Sequence, residues 1–415
     1  MVKPCWLALS PAFCALFALG CSSSAAPVDT NAGGAPSSGG AIGAAGGSSV
    51  SGTTSIAGTS SSVGGMSTGG SGGSAGAATA TGGSSGSAGS SSGAAGSPST
   101  GGHVRTGMSV GCGMAPPGTD SAKDFVKHEV HITGLDPVYL KGGMYYDTSG
   151  GYDLSFRPYG VRLPANYDPT KPYAVTVGGG GCGGNAANFA TNPGGGLQIA
   201  PNGATLQIGL SYINGCFNDG GPAIGNRTDT PEEPYFRAVM ADIEAHYCID
   251  LSKVYMAGYS SGGWESYTLS CAASDLIRGM GADEGGLRTM HPVCKNAVAA
   301  VLVAGEADDE NPIGPLDPNN ATDKGAIDRL GSFGSAPGRD ELLMRNGCNG
   351  STTAPYTPAA GGTAYPECVK YTGCPNAYPV IWCALPGVGH NSSTYNGLNY
   401  SPGPMWDVLG ALPAP

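Results

Sequence analysis

The stretch formed by residues 254–262, VYMAGYSSG, decides how the rest of the chain is interpreted. Its first four residues predict a short buried strand, and the helical pattern that follows it extends to about Cys271. Between them stands a G-x-S-x-G motif, whose small residues two before and two after the serine allow a sharp turn from strand to helix. Such a turn holds the Ser260 hydroxyl at the top of a sheet. We therefore predict Ser260 as a nucleophile, with the amide of Ser261 directed at the place where an oxyanion would form.

The bare motif is a weak signal in this chain. It also occurs at residues 65–69 and 69–73, where the composition predicts neither a strand before the serine nor a helix after it. A tight turn with an uninvolved serine is the alternative interpretation of Ser260. The prediction therefore depends on the strand–turn–helix context and on a base and an acid elsewhere in the chain.

The base must be a histidine that follows the nucleophile. A serine hydroxyl is a poor nucleophile near neutral pH without a base, and α/β-hydrolases place the triad in the order Ser, acid, His. Of the six histidines, only His291 and His390 follow Ser260. His291 comes before the next predicted strand, whereas His390 follows the strand over 380–385 in a glycine-rich loop, so we predict His390. The other four are expected on the surface or in packing: His103, His128, His131 and His246.

The acid is expected at the end of the strand before that histidine. An apolar run that ends at residue 304 leads into Gly-Glu-Ala-Asp-Asp. Asp308 is the predicted partner of the imidazole and Asp309 is the runner-up. The alternative for this acidic pair is a solvated loop.

A glycine-rich loop follows the predicted strand over 173–177. Its sequence, GGGGCGGN at 178–185, allows backbone amides to approach a ligand closely. A phosphate-binding loop is the competing interpretation, but the lysine and the Ser/Thr of that motif are absent. We predict that Gly181 or Cys182 supplies the second oxyanion donor.

Strand-like and helical segments alternate from about Cys112 onward. This alternation predicts an α/β-hydrolase fold with a mostly parallel central sheet and helices on both faces. The predicted strands lie at 156–163, 173–177, 204–211, 254–257, 297–303 and 380–385, and the predicted helices at 234–247, 261–271 and about 340–346.

The N-terminal quarter of the chain has a different composition. The 415 residues include 73 Gly but only 12% charged residues, and the glycine excess is concentrated in a Gly/Ser/Ala-rich segment. Such a segment cannot bury enough apolar surface to fold. We predict a signal peptide of lipoprotein type over 1–20, a disordered linker over 21–106 and the hydrolase domain over 107–415. Small residues before Cys21 indicate its acylation; the alternative is ordinary cleavage near Ala25 and Ala26.

Charge and hydropathy exclude two classes of partner. The net charge is −11, which argues against nucleic acid and against attachment to an anionic membrane through basic patches. No apolar run approaches the roughly 20 residues of a membrane span. We expect an exported monomer, either an outer-membrane or cell-surface lipoprotein or a secreted protein.

Ten of the 13 cysteines fall in the predicted domain. An even number in an exported domain predicts five disulfides. A zinc site is the alternative, but clustered C-x2-C or Cys/His spacings are missing. From the expected ends of strands and turns, three pairs are favoured: Cys248–Cys271, Cys182–Cys216 and Cys368–Cys374.

The segment from about Cys112 to Trp406 resembles the secreted polyhydroxybutyrate depolymerase/feruloyl esterase group of α/β-hydrolases. One departure is that Gly180 stands where the group usually has a histidine that braces the oxyanion loop. The matching stretches are RLP at 162–164, YDP at 167–169, GCGGN at 181–185, YCID at 247–250, the elbow with GG at 262–263, GEAD at 305–308, RNGC at 345–348, WC at 382–383 and GH at 389–390.

The resemblance implies a serine esterase that acts on polymer-linked esters without a metal or an organic cofactor. Feruloyl esterase is the first expectation, with plant cell-wall polysaccharide as the substrate. Polyhydroxybutyrate depolymerase, acetylxylan esterase and a non-catalytic binding domain remain as alternatives. Tyr259, Trp264 and Trp382 could line an aromatic-friendly pocket, or they could simply pack in the core.

Overall fold

The computed structural model describes residues 105–135, 155–182, 196–212, 216–217, 231–288 and 294–414, apart from 318, 331, 351, 359–360 and 391–392. The predicted signal peptide, Cys21 and almost all of the predicted linker lie outside these residues. His103, His291 and residues 183–185 of the glycine-rich loop also lie outside them.

In the described part of the chain, ten strands form one sheet, in the order β1-β2-β4-β3-β5-β6-β7-β10-β9-β8. A separate hairpin consists of β11 Thr394–Tyr395 and β12 Leu398–Asn399. The ten strands are β1 Val126–His131, β2 Phe156–Arg162, β3 Tyr173–Gly179, β4 Leu206–Leu210, β5 Ile249–Tyr259, β6 Gly279–Asp283, β7 Ala299–Gly305, β8 Thr353–Pro355, β9 Cys368–Tyr371 and β10 Val380–Leu385.

The centre of the sheet is parallel. Strands β4, β3, β5, β6, β7 and β10 pair in parallel with their neighbours, while β1 and β2 on one side and β9 and β8 on the other pair antiparallel. Every residue of β4, β6 and β7 is buried, as is typical of parallel strands covered on both faces. The predicted mostly parallel sheet is confirmed.

Helices cover both faces of the sheet. Alternate residues of β5 belong to different cores: Val254 packs with α1 on one face, and Tyr255 packs with α5 on the other. None of the helices in the described residues has the length and apolar character to cross a bilayer. The helices are α1 Glu232–His246, α2 Ser261–Ala272, α3 Ala321–Leu330, α4 Ser335–Arg345 and α5 Gly403–Leu409.

Five disulfides join all ten cysteines of the predicted domain. The structure contains the predicted Cys182–Cys216 bridge, but the other two predicted pairs are wrong. The bridges are Cys112–Cys248, Cys182–Cys216, Cys271–Cys294, Cys348–Cys374 and Cys368–Cys383.

The predicted pair Cys248–Cys271 fails because the N-terminal segment occupies the amino end of β5. There Ser109 donates its amide to the carbonyl of Ile249 at 3.0 Å, which brings Cys112 to Cys248. The two Cα atoms are 4.0 Å apart. Cys271, at the end of α2, bonds instead to Cys294 in the segment before β7.

The predicted pair Cys368–Cys374 fails because β9 was not predicted from the sequence. Cys368 and Cys383 are directly opposite each other on the antiparallel strands β9 and β10. Opposite residues on such strands lie close enough for a bridge. Cys374, which follows β9, bonds to Cys348 just after α4.

Candidate active site

Ser260 lies in a strained turn between β5 and α2. Its backbone has φ 54° and ψ −114°, a conformation that a residue with a side chain rarely adopts. The Ser260 amide donates a hydrogen bond to the carbonyl of Asp283 at 2.9 Å. Strain of this kind persists only where the surroundings hold it, and it is common at functional sites.

Both glycines of the motif are required by close backbone contacts. A Cβ on Gly258 would lie 2.0 Å from the carbonyl carbon of Gly262, and a Cβ on Gly262 would lie 2.3 Å from the carbonyl oxygen of Gly179. The helix therefore packs directly against the ends of β3 and β5. This contact explains why small residues stand on both sides of the serine.

The structure brings the three predicted residues of the triad together. The Nε2 atom of His390 lies 3.0 Å from the Oγ atom of Ser260, and its Nδ1 atom lies 2.9 Å from Oδ2 of Asp308. The other oxygen of Asp308 accepts the amides of Glu310 and Asn311 at 2.9 and 2.8 Å. The three side chains follow β5, β7 and β10 at their carboxyl ends, where open α/β sheets bind their ligands.

The loops of the acid and the base are in direct contact. The amide of Ala307 donates to the carbonyl of Val388 at 2.9 Å, and a Cβ on Gly305 would lie 2.3 Å from the same oxygen. The Asp308 side chain is fully buried, whereas Asp309, the runner-up acid, is exposed.

The surroundings of His390 favour its protonated form. Burial of the imidazole lowers its pKa, but the hydrogen bond that it donates to Asp308 and the charges of Asp308, Glu284 and Glu310 raise it. The net pKa lies above the ordinary histidine value. An imidazolium formed when the serine loses its proton is therefore stabilised in place.

Two carboxylates beside His390 were not predicted from the sequence. The Oε2 atom of Glu284 lies 3.7 Å from Nδ1, with its side chain fully buried. The Oε2 atom of Glu310 lies 3.6 Å from Nε2, with 59% of its side chain exposed. Glu284 follows β6, whose sequence GMGAD has too few large apolar residues to predict a strand. The available signal was the Asp283-Glu284 pair, which parallels the acidic pair after β7.

Asp283 is buried next to this site. Ser393 donates its hydroxyl to the Asp283 carboxylate at 2.9 Å from either oxygen. Burial raises the pKa of Asp283 to about 6. The contact links the end of β6 to the segment that follows His390.

The loop after β3 is held against the start of α2. The carbonyl of Gly180 accepts the Gly262 amide at 2.9 Å and the Ser261 hydroxyl at 3.0 Å. A Cβ on Gly181 would lie 3.3 Å from the Cβ of Ser260. The predicted donors Gly181 and Ser261 therefore both lie next to Ser260, and Cys182 is tied to Cys216.

The three aromatic candidates have different environments. The Tyr259 ring lies against the imidazole of His390, with centroids 5.5 Å apart. Trp264 is 9% exposed and donates its indole N–H to Oδ1 of Asn311 at 2.6 Å. Trp382 is 7% exposed with the Arg339 guanidinium over its ring. Both tryptophans are therefore largely buried in the protein.

Two clusters in the described residues have ligand atoms close enough to hold a metal ion. Glu284, Asp308 and His390 place one atom each within 4.8 Å of one another, but Asp308 and His390 already share a hydrogen bond. The other cluster consists of Cys271, Cys294 and Glu341. Its two sulfurs form a disulfide and are not thiolates, the form that binds zinc.

Among known proteins, the chain is similar in sequence to fungal feruloyl esterases. It is 25% identical over 269 residues to feruloyl esterase C of Emericella nidulans, covering 64% of this chain and 87% of the relative. It is 24% identical over 265 residues to feruloyl esterase D of Neurospora crassa, covering 61% and 81%. No protein-family model matches the chain.

Among solved structures, an acetyl xylan esterase from Aspergillus awamori aligns with 68% of this chain and 99% of its own length, at 12% identity and a TM-score of 0.41. The α/β-hydrolase fold is assigned from the strand order and from the turn that carries Ser260. The similarity in sequence to feruloyl esterases agrees with the serine esterase chemistry that the geometry of Ser260, His390 and Asp308 indicates.

Proposed function

We propose that this protein is a feruloyl esterase that releases hydroxycinnamate groups from plant cell-wall polysaccharide. The esterase chemistry is supported by the two hydrogen bonds that link Ser260, His390 and Asp308. The feruloyl group is inferred from the names of the sequence relatives.

In the proposed reaction, Ser260 Oγ attacks the ester carbonyl and His390 Nε2 accepts the serine proton. Asp308 holds the Nδ1–H and stabilises the imidazolium. The tetrahedral intermediate collapses when His390 returns the proton to the departing alcohol. Water then attacks the acyl-serine by the same route, with His390 again acting as base.

The oxyanion of the intermediate is proposed to accept hydrogen bonds from the amides of Ser261 and of Gly181 or Cys182. The replacement of the bracing histidine by Gly180 does not argue against this role. The carbonyl of Gly180 already accepts two hydrogen bonds from the first turn of α2, so the backbone itself holds the loop in place.

A substrate panel tests the acyl specificity. Wild-type protein is assayed on methyl ferulate, acetylated xylan, hydroxybutyrate oligomers and para-nitrophenyl acetate, with Ser260→Ala as the matched control. We expect kcat/KM to be higher for methyl ferulate than for acetylated xylan or for the hydroxybutyrate oligomers. A preference for acetylated xylan or for the oligomers would reject the feruloyl proposal, and no hydrolysis of any ester would favour a binding domain.

We also propose that the enzyme is exported and anchored at the cell surface. The five disulfides are typical of proteins outside the reducing cytosol. In this proposal residues 1–20 are removed, Cys21 is acylated, and residues 21–106 tether the domain over 107–415 with a reach of roughly 50 Å.

Replacement of the proposed lipid site tests this arrangement. Cys21→Ser is expected to release the protein from the membrane fraction without changing its activity on soluble esters. Wild-type protein found in the medium without lipid, with an N-terminus beyond Cys21, would contradict the anchor.

A further inference from the structure

We propose that Glu284 is a second acidic partner of His390, a positioning residue that shares with Asp308 the task of holding the imidazole and its positive charge. The proposal rests on the catalytic role of His390 proposed above. It starts from the contact between Glu284 Oε2 and His390 Nδ1, 3.7 Å apart. This is the same nitrogen that lies 2.9 Å from Asp308.

The sheet itself positions Glu284 for this contact. Strand β6 lies between β5, which carries the nucleophile, and β7, which leads to the acid. Glu284 is the first residue after β6, and its amide donates to the carbonyl of Val303 on β7 at 2.9 Å. It therefore leaves the sheet between the strand that carries the nucleophile and the strand that leads to the acid.

The backbone of Glu284 adopts a conformation that favours glycine. Its φ is 46°, although it carries a long charged side chain. The next residue, Gly285, packs so closely on Gly263 that a Cβ would lie 2.6 Å from its Cα. A buried glutamate held in such a backbone matches the strained residues found at functional sites.

Burial makes the Glu284 charge effective at the imidazole. Solvent and salt screen a fully buried carboxylate much less than an exposed one. When His390 accepts the serine proton, Asp308 and Glu284 both face the new positive charge. If Asp308 loses its charge, a carboxylate still faces Nδ1.

Several other groups face His390 and must be considered in any titration. Glu310 lies on the Nε2 side, Tyr259 packs on the ring, and the buried Asp283 interacts with the imidazole charge. Glu310 provides a matched control because it is equally near but 59% exposed.

The first test compares Glu284→Gln with Glu310→Gln in the pH profile of kcat/KM for para-nitrophenyl acetate. Loss of the buried charge is expected to move the acidic limb about one pH unit lower. Loss of the exposed charge is expected to move it less. In about 1 M salt, where the screening length is ~3 Å, only the Glu284→Gln shift should remain.

A purely structural role for Glu284 gives a different result. In that case Glu284→Gln lowers stability or kcat, but the acidic limb stays at the wild-type pH. That outcome, or a Glu284→Gln shift that disappears in high salt, overturns the proposal.

The second test removes the two acids singly and together. In serine proteases, replacement of the triad Asp by Asn lowers kcat by about 10⁴. Here Asp308→Asn is expected to lose only about 10²-fold, and addition of Glu284→Gln is expected to remove most of the remaining activity. If Asp308→Asn alone lowers kcat by about 10⁴, and the double variant is no less active than Asp308→Asn, the proposal is overturned.

A direct titration separates this proposal from the proposed function. The imidazole signals of His390, assigned by comparison with His390→Gln, are followed by NMR against pH in wild type and in Glu284→Gln. A lower pKa in the variant supports the contact even if methyl ferulate is not a substrate. An unchanged pKa rejects it even if the protein is a feruloyl esterase.

Discussion

Trp264 donates its indole N–H to the side-chain oxygen of Asn311 at 2.6 Å, and this contact joins the helix after the nucleophile to the loop of the acid. The backbone N–H of Asn311 in turn donates a hydrogen bond to the Asp308 carboxylate at 2.8 Å. A side chain that could have lined the substrate pocket is therefore part of the support of Asp308.

We expect Trp264→Phe to lower both stability and activity, because it keeps an aromatic ring and removes the donor. An unpaired buried acceptor on Asn311 costs about 1–3 kcal/mol of unfolding free energy. A small displacement of Asp308 is expected to lower kcat by about tenfold. Trp382→Phe is the control, since its packing against Arg339 predicts a loss of stability with normal kcat. Equal kcat in both variants would argue against the link.

Ser260→Ala is expected to abolish ester hydrolysis and labelling by a fluorophosphonate probe. Ser260→Gly should be equally inactive but more stable than Ser260→Ala by about 1 kcal/mol, because glycine tolerates a positive φ. The serine makes no side-chain cap to α2, so neither variant loses a capping bond. Denaturant unfolding and probe labelling measure both effects; labelling of either variant would place the nucleophile elsewhere.

Gly262→Ala is expected to destabilise the protein by about 3 kcal/mol, since the new Cβ would meet the Gly179 carbonyl at 2.3 Å. Gly325→Ala in α3 is the matched control. That glycine has nothing within 4 Å of its Cβ position, so alanine should stabilise the helix by about 0.5–1 kcal/mol. Similar unfolding curves for the two variants would contradict the close packing of the turn.

We expect kcat/KM to fall at acidic pH. The midpoint of this fall should lie above about 6.5, the ordinary pKa of histidine. The direction follows from the raised pKa of His390, because only the neutral imidazole can accept the serine proton. The pH profile of kcat/KM measures it. An acidic limb below pH 6 would show that burial outweighs the three carboxylates.

The disulfides predict that the unreduced protein has no alkylatable thiol among its ten domain cysteines. Proteolysis followed by mass spectrometry should recover one linked pair of peptides for Cys368 with Cys383 and another for Cys348 with Cys374. A peptide in which Cys368 is joined to Cys374 would contradict the pairing across β9 and β10.

The parts of the site that were predictable follow long apolar runs. Strands β5, β7 and β10 each contain such a run, and Ser260, Asp308 and His390 were predicted from the turns after them. Strand β6 is too rich in glycine to give that signal, and for this reason Glu284 was missed. The pairing of Cys368 was missed for a related reason, since β9 has only four residues.

The Cys112–Cys248 bridge has a mechanical consequence. It fastens the beginning of the described chain to the amino end of β5, while Ser260 follows the other end of the same 11-residue strand, roughly 36 Å away. A force applied to the polypeptide before residue 105 would therefore be transmitted to a covalent bond at the amino end of this strand. Such a force would enter the fold at the end of β5 opposite to Ser260.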